Sequence, residues 1–229
     1  SPHAFVDRWL KRDLSLLEKA VAELEVVAPD CHSESFLAAY HGVFDIWNRL
    51  QLIRFGPLAN GDLAFQFQFW PERKGIIGKK IRMLVASGDP VIQNPESFRE
   101  TSIAARGLMA IDYALFDADF LVNTSVADRC QLMGAVSQDL RLSVNQLTRE
   151  WSSEAWAMYR HSTVSQPLSD AEIHSVLYAA LDTSLQYDID LRLGKPLGSF
   201  NRAFPRKAEA WRSGRTLRNL ENSLKQSEE

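Results

Sequence analysis

The residues with the clearest potential for chemistry are a histidine and an aspartate spaced one helical turn apart. His41 and Asp45 lie in the stretch "YHGVFDIW", and if this stretch is helical the two side chains share one face. An imidazole and a carboxylate together can bind a divalent cation or hold a proton. The same spacing also suits a simple hydrogen-bonded surface pair, so the sequence leaves both interpretations open.

Longer catalytic motifs are absent from the sequence. The chain contains no HExxH pair, no GxSxG, no phosphate-binding loop and no CxxC, and its five histidines are scattered. A catalytic or metal centre would therefore have to be assembled from residues that lie far apart along the chain.

Positive charge is concentrated towards the C-terminal end. Between Arg192 and Arg218 there are eight Lys or Arg residues and one acid, Glu209. This basic run either forms a patch for an anion or a partner, or lies on solvated faces of loops and helices. Asp188 is either a buried polar group with a role or a residue at the point where its helix leaves the bundle.

Apolar periodicity predicts that these residues are positioned by helices. The predicted helices cover residues 4–28, 34–53, 75–86, 100–116, 126 to about 160, 170–193 and 207–226. Ser169 and Glu172 form a capping-box pair at the start of the sixth helix. In the fifth helix, apolar and small residues recur in alternating steps of four and three, as they do along the contact line between helices in a bundle. This contact line, named here the seam, comprises Val126, Cys130, Met133, Ser137, Leu140, Val144, Leu147 and Trp151.

One stretch does not follow the helical pattern. Residues 54–75, named here the aromatic connecting segment, hold four Phe, one Trp, three Gly and two Pro in 22 positions. Leu63, Phe65, Phe67 and Phe69 alternate with smaller or polar residues, which predicts a short extended segment lying on helices. Because no second strand is available to pair with it, the predicted class is all-α, with a boundary near residues 117–124.

Composition bounds the function. The 229 residues are 45% hydrophobic, carry a net charge of −3 and have a pI of about 6.0, which argues against a nucleic-acid partner. No apolar run approaches the roughly 18 residues of a transmembrane segment, and the N-terminus has no apolar signal core. Cys31 and Cys130 allow one disulfide or two reduced, partly buried thiols, and composition alone does not choose between them.

Four sequence blocks resemble the imelysin-like family of bacterial periplasmic proteins. In chain order they are "RFGPL…FQFWPERKG", "GLMAIDYALF" (107–116), "LRLGKPLG" (191–198) and "AEAWRSGRTL" (208–217). The resemblance implies two helix bundles packed side by side, residues 1–120 and 121–229, with a site between them. It also implies a mature protein in the periplasm whose signal peptide was removed before Ser1.

The resemblance implies a link to iron uptake or haem-related processes, with the chain acting as a binding protein. Two alternatives are a metallopeptidase of the imelysin type and a structural or partner-binding envelope protein. The family block Gly-x-His-x-x-Glu reads Gly107-x-Met109-x-x-Asp112 here. Because a thioether cannot act as a general base and is a weak ligand, peptidase activity is doubtful.

The resemblance and the residues together predict a site in the cleft between the bundles, walled by the aromatic connecting segment. The candidate ligands for iron or another divalent cation are His41, Asp45 and Asp112. The candidate residues for binding an organic ligand are Arg54, Trp70, Met109 and Arg212. Arg212 can pair with Asp112 or hold an anion, since its planar fork suits carboxylates. Family members continue past "WRSGRTL", so we expect a C-terminal fragment or a partner chain to complete the second bundle.

Overall fold

The protein is all-α, as the sequence predicts. A computed structural model describes residues 1–59, 61–88, 90–160 and 165–228. Within these ranges there are eleven α-helices, short 3₁₀ turns and no strand. The helices are α1 (Pro2–Val27), α2 (Glu34–Leu50), α3 (Gly61–Phe67), α4 (Ile76–Ala86), α5 (Pro95–Arg99), α6 (Gly107–Phe116), α7 (Ala118–Asn123), α8 (Val126–Ser152), α9 (Asp170–Tyr187), α10 (Lys195–Leu197) and α11 (Thr216–Glu228).

Local signals in the sequence set the starts of the long helices. The hydroxyls of Ser33, Ser125 and Ser169 each accept a hydrogen bond from the backbone N–H three residues on, at the starts of α2, α8 and α9. Glu172 completes the capping box with Ser169. These caps satisfy backbone donors that the first helical turn leaves unpaired.

The core is continuous along most of the chain. Helix α1 packs against α2 and α8, and α8 also packs against α6. One cluster of buried side chains runs from Val6 to Ala210. The division at residues 120 and 121 therefore crosses this packed core, and the two-domain description stays a prediction.

The predicted seam of α8 is buried from Met133 onward. Met133, Leu140 and Leu147 are inaccessible to solvent and Trp151 is nearly so, whereas Val126, in the first turn, is 46% exposed. Cys130 is joined to Cys31 by a disulfide, with a Cα–Cα distance of 5.0 Å. This bond ties the turn after α1 to the first turns of α8 and decides between the two states that composition left open.

The extended segment predicted for residues 63–69 is wrong. The aromatic connecting segment instead contains a 3₁₀ turn, Gly56–Ala59, and helix α3. Leu63 and Phe67 lie four residues apart on one buried face of α3, while Phe65 between them is 43% exposed. The alternation of aromatic residues therefore reflects one buried face of a helix, not the two faces of a strand.

Several predicted helices differ at their ends. The fourth begins at Gly107 and not at residue 100, because residues 103–105 form a 3₁₀ turn. The fifth ends at Ser152, and the sixth passes at Asp188 into a π-helix, Asp188–Gly194. The seventh begins at Thr216 and not at residue 207, since the chain turns through Ala210, which has a positive φ of 46°.

Large apolar side chains remain exposed in the C-terminal third. They include Tyr178, Ile189, Leu197, Phe200 and Leu217. That a fragment or a partner chain covers them stays a prediction. None of the helices in the described ranges is long and apolar enough to cross a membrane.

Candidate functional site

An open cleft with a volume of about 680 Å³ lies between two separate parts of the chain. One wall is formed by the end of the aromatic connecting segment together with Met109 of α6, and the other by residues 203–212. The lining comprises Trp70, Glu72, Lys74, Gly75, Met109, Ala203, Phe204, Pro205, Arg206, Lys207, Ala208, Trp211 and Arg212. Its size falls within the usual range for small-molecule sites.

Gly107 positions Met109 in this cleft. Gly107 starts α6 with a φ of +70°, and a Cβ built on it would lie 2.4 Å from the carbonyl oxygen of Gln66 and 2.5 Å from that of Phe67. Only glycine permits this approach, which presses the start of α6 against the end of α3. Met109 is consequently held beside the aromatic connecting segment.

A buried polar network lies behind the cleft and joins its walls. Arg192, in the π-helix and 1% exposed, donates to Glu209 at 2.8 Å and to Asp188 at 2.5 Å. The Gln68 amide donates to Glu209 at 2.5 Å and accepts from the Trp47 indole at 2.9 Å. Burial alone would lower the pKa of Arg192, but the two acids raise it, so the guanidinium stays charged.

This network gives the sequence blocks a shared structural role. Gln68 belongs to the aromatic connecting segment, Arg192 to "LRLGKPLG" and Glu209 to "AEAWRSGRTL". Asp188 is thus a buried polar group with a role, because it holds Arg192 and accepts from Ser223 at 2.8 Å. The blocks that stand far apart in sequence meet here and fix the geometry of the cleft.

Three of the seven predicted site residues line the cleft, namely Trp70, Met109 and Arg212. Arg212 donates to Asp117 at 3.0 Å and not to Asp112, and its guanidinium lies 4.5 Å from the ring centre of Trp211. Arg54 is outside the lining. It stacks on Tyr187 at 4.4 Å, and the Tyr187 ring in turn meets Trp70 edge to face at 5.8 Å.

Asp112 is buried one turn after Met109 on α6. Its Oδ1 accepts from the Tyr40 hydroxyl at 3.1 Å, and its Oδ2 has no hydrogen-bond partner. Burial raises the pKa of this carboxyl, against the opposing effects of Ser213, Tyr40 and Arg212. The side chain is therefore biased towards its neutral form.

His41 and Asp45 do share one face of α2, but that face is occupied by two arginines, Arg215 just before α11 and Arg218 within it. Arg215 lies 2.7 Å from Nδ1 of His41 and also pairs with Asp45. Arg218 donates to Asp45 at 3.0 Å, and Asn222 does so at 2.8 Å. Burial and the two arginines lower the pKa of His41 to about 4. Positive charge thus stands where a cation would have to bind.

The structure does not bring the three candidate metal ligands into one set. In the part of the chain that the structure describes, only Cys31, His32 and Cys130 place three metal-ligand atoms within 4.8 Å of one another. Two of these residues form the disulfide. Among the described residues that line the cleft there is a single carboxylate, Glu72, and neither histidine nor cysteine.

Sequence reasoning missed most of the second wall of the cleft. Phe204, Arg206, Lys207 and Trp211 were not singled out, and neither was Lys74 of the first wall, although the basic run was the signal that could have found Arg206 and Lys207. That run separates in space. Arg206, Lys207 and Arg212 line the cleft, whereas Arg192 and Arg215 are buried within the fold and Arg218 pairs with Asp45 at the surface.

Comparison with known proteins gives one family and one fold. A family model described as imelysin matches residues 19–228. The structure is similar to the crystal structure of an imelysin-like protein from Psychrobacter arcticum 273-4, with a TM-score of 0.71 and 15% sequence identity over 94% of this chain and 68% of that one. At this identity the likeness concerns the fold alone. No curated protein matches the chain.

Proposed function

The chain belongs to the imelysin family, and on that premise we propose that it is a periplasmic binding protein associated with iron or haem acquisition. Its ligand enters the cleft between the aromatic connecting segment and residues 203–212. One observation carries this proposal: Trp70, Met109 and Arg212 come from three separate sequence blocks and line a single open cleft. Convergence of distant polar and aromatic residues on one concave site is typical of ligand binding.

The chemistry of the lining supports binding more than hydrolysis. A hydrolytic metal centre usually needs three nitrogen, sulfur or carboxylate ligands and an open position for water. Within the described lining Glu72 is the one such group, and its Oε1 accepts a hydrogen bond from the Ile77 amide at 2.8 Å. Met109, in the position of the family histidine, cannot act as a general base.

The disulfide supports the proposed location. Bonds of this kind form and persist in oxidising compartments, of which the periplasm is one. Cys31 is 3% exposed, so its sulfur is protected from solvent reductants. Titration of free thiols in denatured, unreduced protein isolated from the periplasm should find none.

The proposal is tested by isothermal titration calorimetry with haemin and with ferric citrate. Trp211 is half-buried in the cleft wall, so Trp211→Ala should remove contact area without unfolding the core. Loss of an aromatic contact of about 1.5 kcal/mol corresponds to roughly tenfold weaker binding. The matched control is Trp156→Ala, because Trp156 is also half-buried but lies outside the cleft.

Two results would contradict the proposal. One is failure of both ligands to bind at tens of micromolar protein. The other is equal weakening by the two tryptophan variants. Because a metallopeptidase is the alternative activity, a protein substrate is incubated in parallel with and without a chelator. Cleavage that is lost on chelation would favour the metallopeptidase alternative.

A further inference from the structure

The charge of the cleft is opposite in sign to that of the chain. The whole sequence carries a net charge of −3. The cleft lining nevertheless holds four cations and one carboxylate, namely Lys74, Arg206, Lys207, Arg212 and Glu72. A concave surface lined by one sign of charge concentrates counter-ions of the opposite sign.

Most of this positive charge is not neutralised inside the protein. Arg212 pairs with Asp117 at 3.0 Å. In the described ranges Lys74, Arg206 and Lys207 are exposed and make no ion pair with a carboxylate. Glu72 makes no ion pair with any of the three among the described residues, and its Oε1 accepts a hydrogen bond from the amide of Ile77. Three cations thus remain available to a ligand.

The same cations lie against aromatic rings. The Lys207 ammonium lies 4.0 Å from the ring centre of Phe204, and the Arg206 guanidinium lies 5.6 Å from that of Trp211. Trp70 adds a third ring to the lining. Ring faces offer a flat apolar body a place to stack, and neighbouring Arg and Lys side chains offer its acidic groups partners.

Resting on the proposed function, we infer that the cleft selects organic anions with a flat apolar part. A bare metal cation is repelled by the lining and finds no set of ligands there. Iron consequently enters the cleft only within an anionic organic molecule, such as a carboxylate-bearing chelate. This ligand class follows from the charge and the rings of the described lining, and it narrows the proposed function to anionic cargo.

The test uses two dyes that share their rings and differ in charge. Anilinonaphthalene sulfonate is a flat aromatic anion, and N-phenylnaphthylamine is its neutral counterpart. Binding of each dye is measured by fluorescence and calorimetry to the wild type, to the double variant Arg206→Gln with Lys207→Gln, and to Lys79→Gln. Lys79 is an exposed lysine of α4 outside the cleft, so it controls for loss of a positive charge elsewhere on the surface.

We expect the anionic dye to bind more tightly than the neutral dye at one site per chain. The double variant should bind the anionic dye with about fivefold or more lower affinity, because it loses two partly exposed charge contacts. It should leave the neutral dye unchanged, and Lys79→Gln should leave both unchanged. Raising the salt concentration should weaken only the anionic dye.

The outcomes separate this inference from the proposed function. If both dyes bind equally and Trp211→Ala weakens both, the cleft is a ligand site without preference for anions, and the inference is overturned while the proposed function stands. If Trp211→Ala affects neither dye, neither is bound in the cleft, and both proposals lose their support. Zinc ion binding in the cleft, weakened by Trp211→Ala, would also overturn the inference.

Discussion

Asp112 is a carboxyl that the fold holds away from water. Burial raises the pKa of Asp112 above its ordinary value of 3.8. The stability gained by keeping it neutral is present below 3.8 and is lost as pH rises through the folded-state pKa. Asp112→Asn replaces the carboxyl by an amide that cannot ionise and can still accept a hydrogen bond from Tyr40. In this variant the unfolding free energy should therefore no longer fall, as pH rises, through the ionisation of residue 112. Urea melts at several pH values measure the unfolding free energy, and Asp182→Asn, at an exposed site, is the control. If the pH profile of Asp112→Asn runs parallel to that of the wild type, the claim that burial raises the pKa of Asp112 is wrong.

His41 carries the opposite dependence. Burial and the charges of Arg215 and Arg218 lower the pKa of His41 from 6.5 to about 4. Because the unfolded chain takes up the proton first, stability is complete above 6.5 and is lost as pH falls towards 4. His41→Asn retains a hydrogen-bond acceptor for Arg215. In denaturant melts between pH 7 and pH 4, its unfolding free energy should fall less with decreasing pH than that of the wild type. His174→Asn, at an exposed site, should show the same fall as the wild type.

The partners of His41 and Asp45 could not be predicted from the sequence. The four-residue spacing correctly put His41 and Asp45 on one helix face, because that depends only on helix geometry. Their partners Arg215 and Arg218 lie at least 170 residues later, at the start of a helix that packs on α2. No local pattern in the sequence reports such a contact, so the chemistry of the pair could not be settled from spacing.

At the scale of elements, Gly107 is a tightly constrained position near the cleft. Gly107→Ala places a Cβ against the backbone of α3 at a positive φ, so it should cost at least about 2 kcal/mol of unfolding free energy. Gly134→Ala is the matched control, since Gly134 lies within α8 and a Cβ there meets nothing within 4 Å. That control should stabilise the protein by roughly 0.5–1 kcal/mol. Equal effects of the two substitutions would show that the contact with α3 is not made.

The seam of α8 gives a second prediction at this scale. Leu140 is fully buried, so Leu140→Ala should cost roughly 2–5 kcal/mol in denaturant melts. Leu217→Ala removes the same atoms from a side chain that is 73% exposed and should change stability by less than about 0.5 kcal/mol. A loss well under 1 kcal/mol at Leu140 would mean that α8 does not pack as described.

The starts of three long helices were predictable because their determinants are local. Ser33, Ser125 and Ser169 cap α2, α8 and α9 with residues only three positions away. The start of α11 was predicted nine residues too early, since the apolar pattern does not reveal that Glu209 must turn inward to meet Arg192. The buried network decides that turn through tertiary contacts.

At the scale of the whole molecule, distant parts of the chain converge on the cleft. The resemblance of four blocks correctly indicated the family and the helical fold. From the resemblance, Trp70 and Met109 were predicted in one wall of the cleft, but Arg212 was the one residue predicted in the other wall. The basic run was visible in sequence, but which of its members line the cleft, lie in the interior or stay on the remaining surface depends on how the π-helix and the turn place each one.

The most direct test of the central claim is to map lysines that a bound ligand protects. The protein is acetylated with and without saturating haemin, and the modification of each lysine is measured by mass spectrometry. Lys74 and Lys207, in the cleft, should be protected, while Lys19 and Lys79, exposed elsewhere, should react equally in both samples. Equal acetylation of Lys74 and Lys207 with and without haemin, or protection confined to other lysines, would contradict the assignment of the cleft as the functional site.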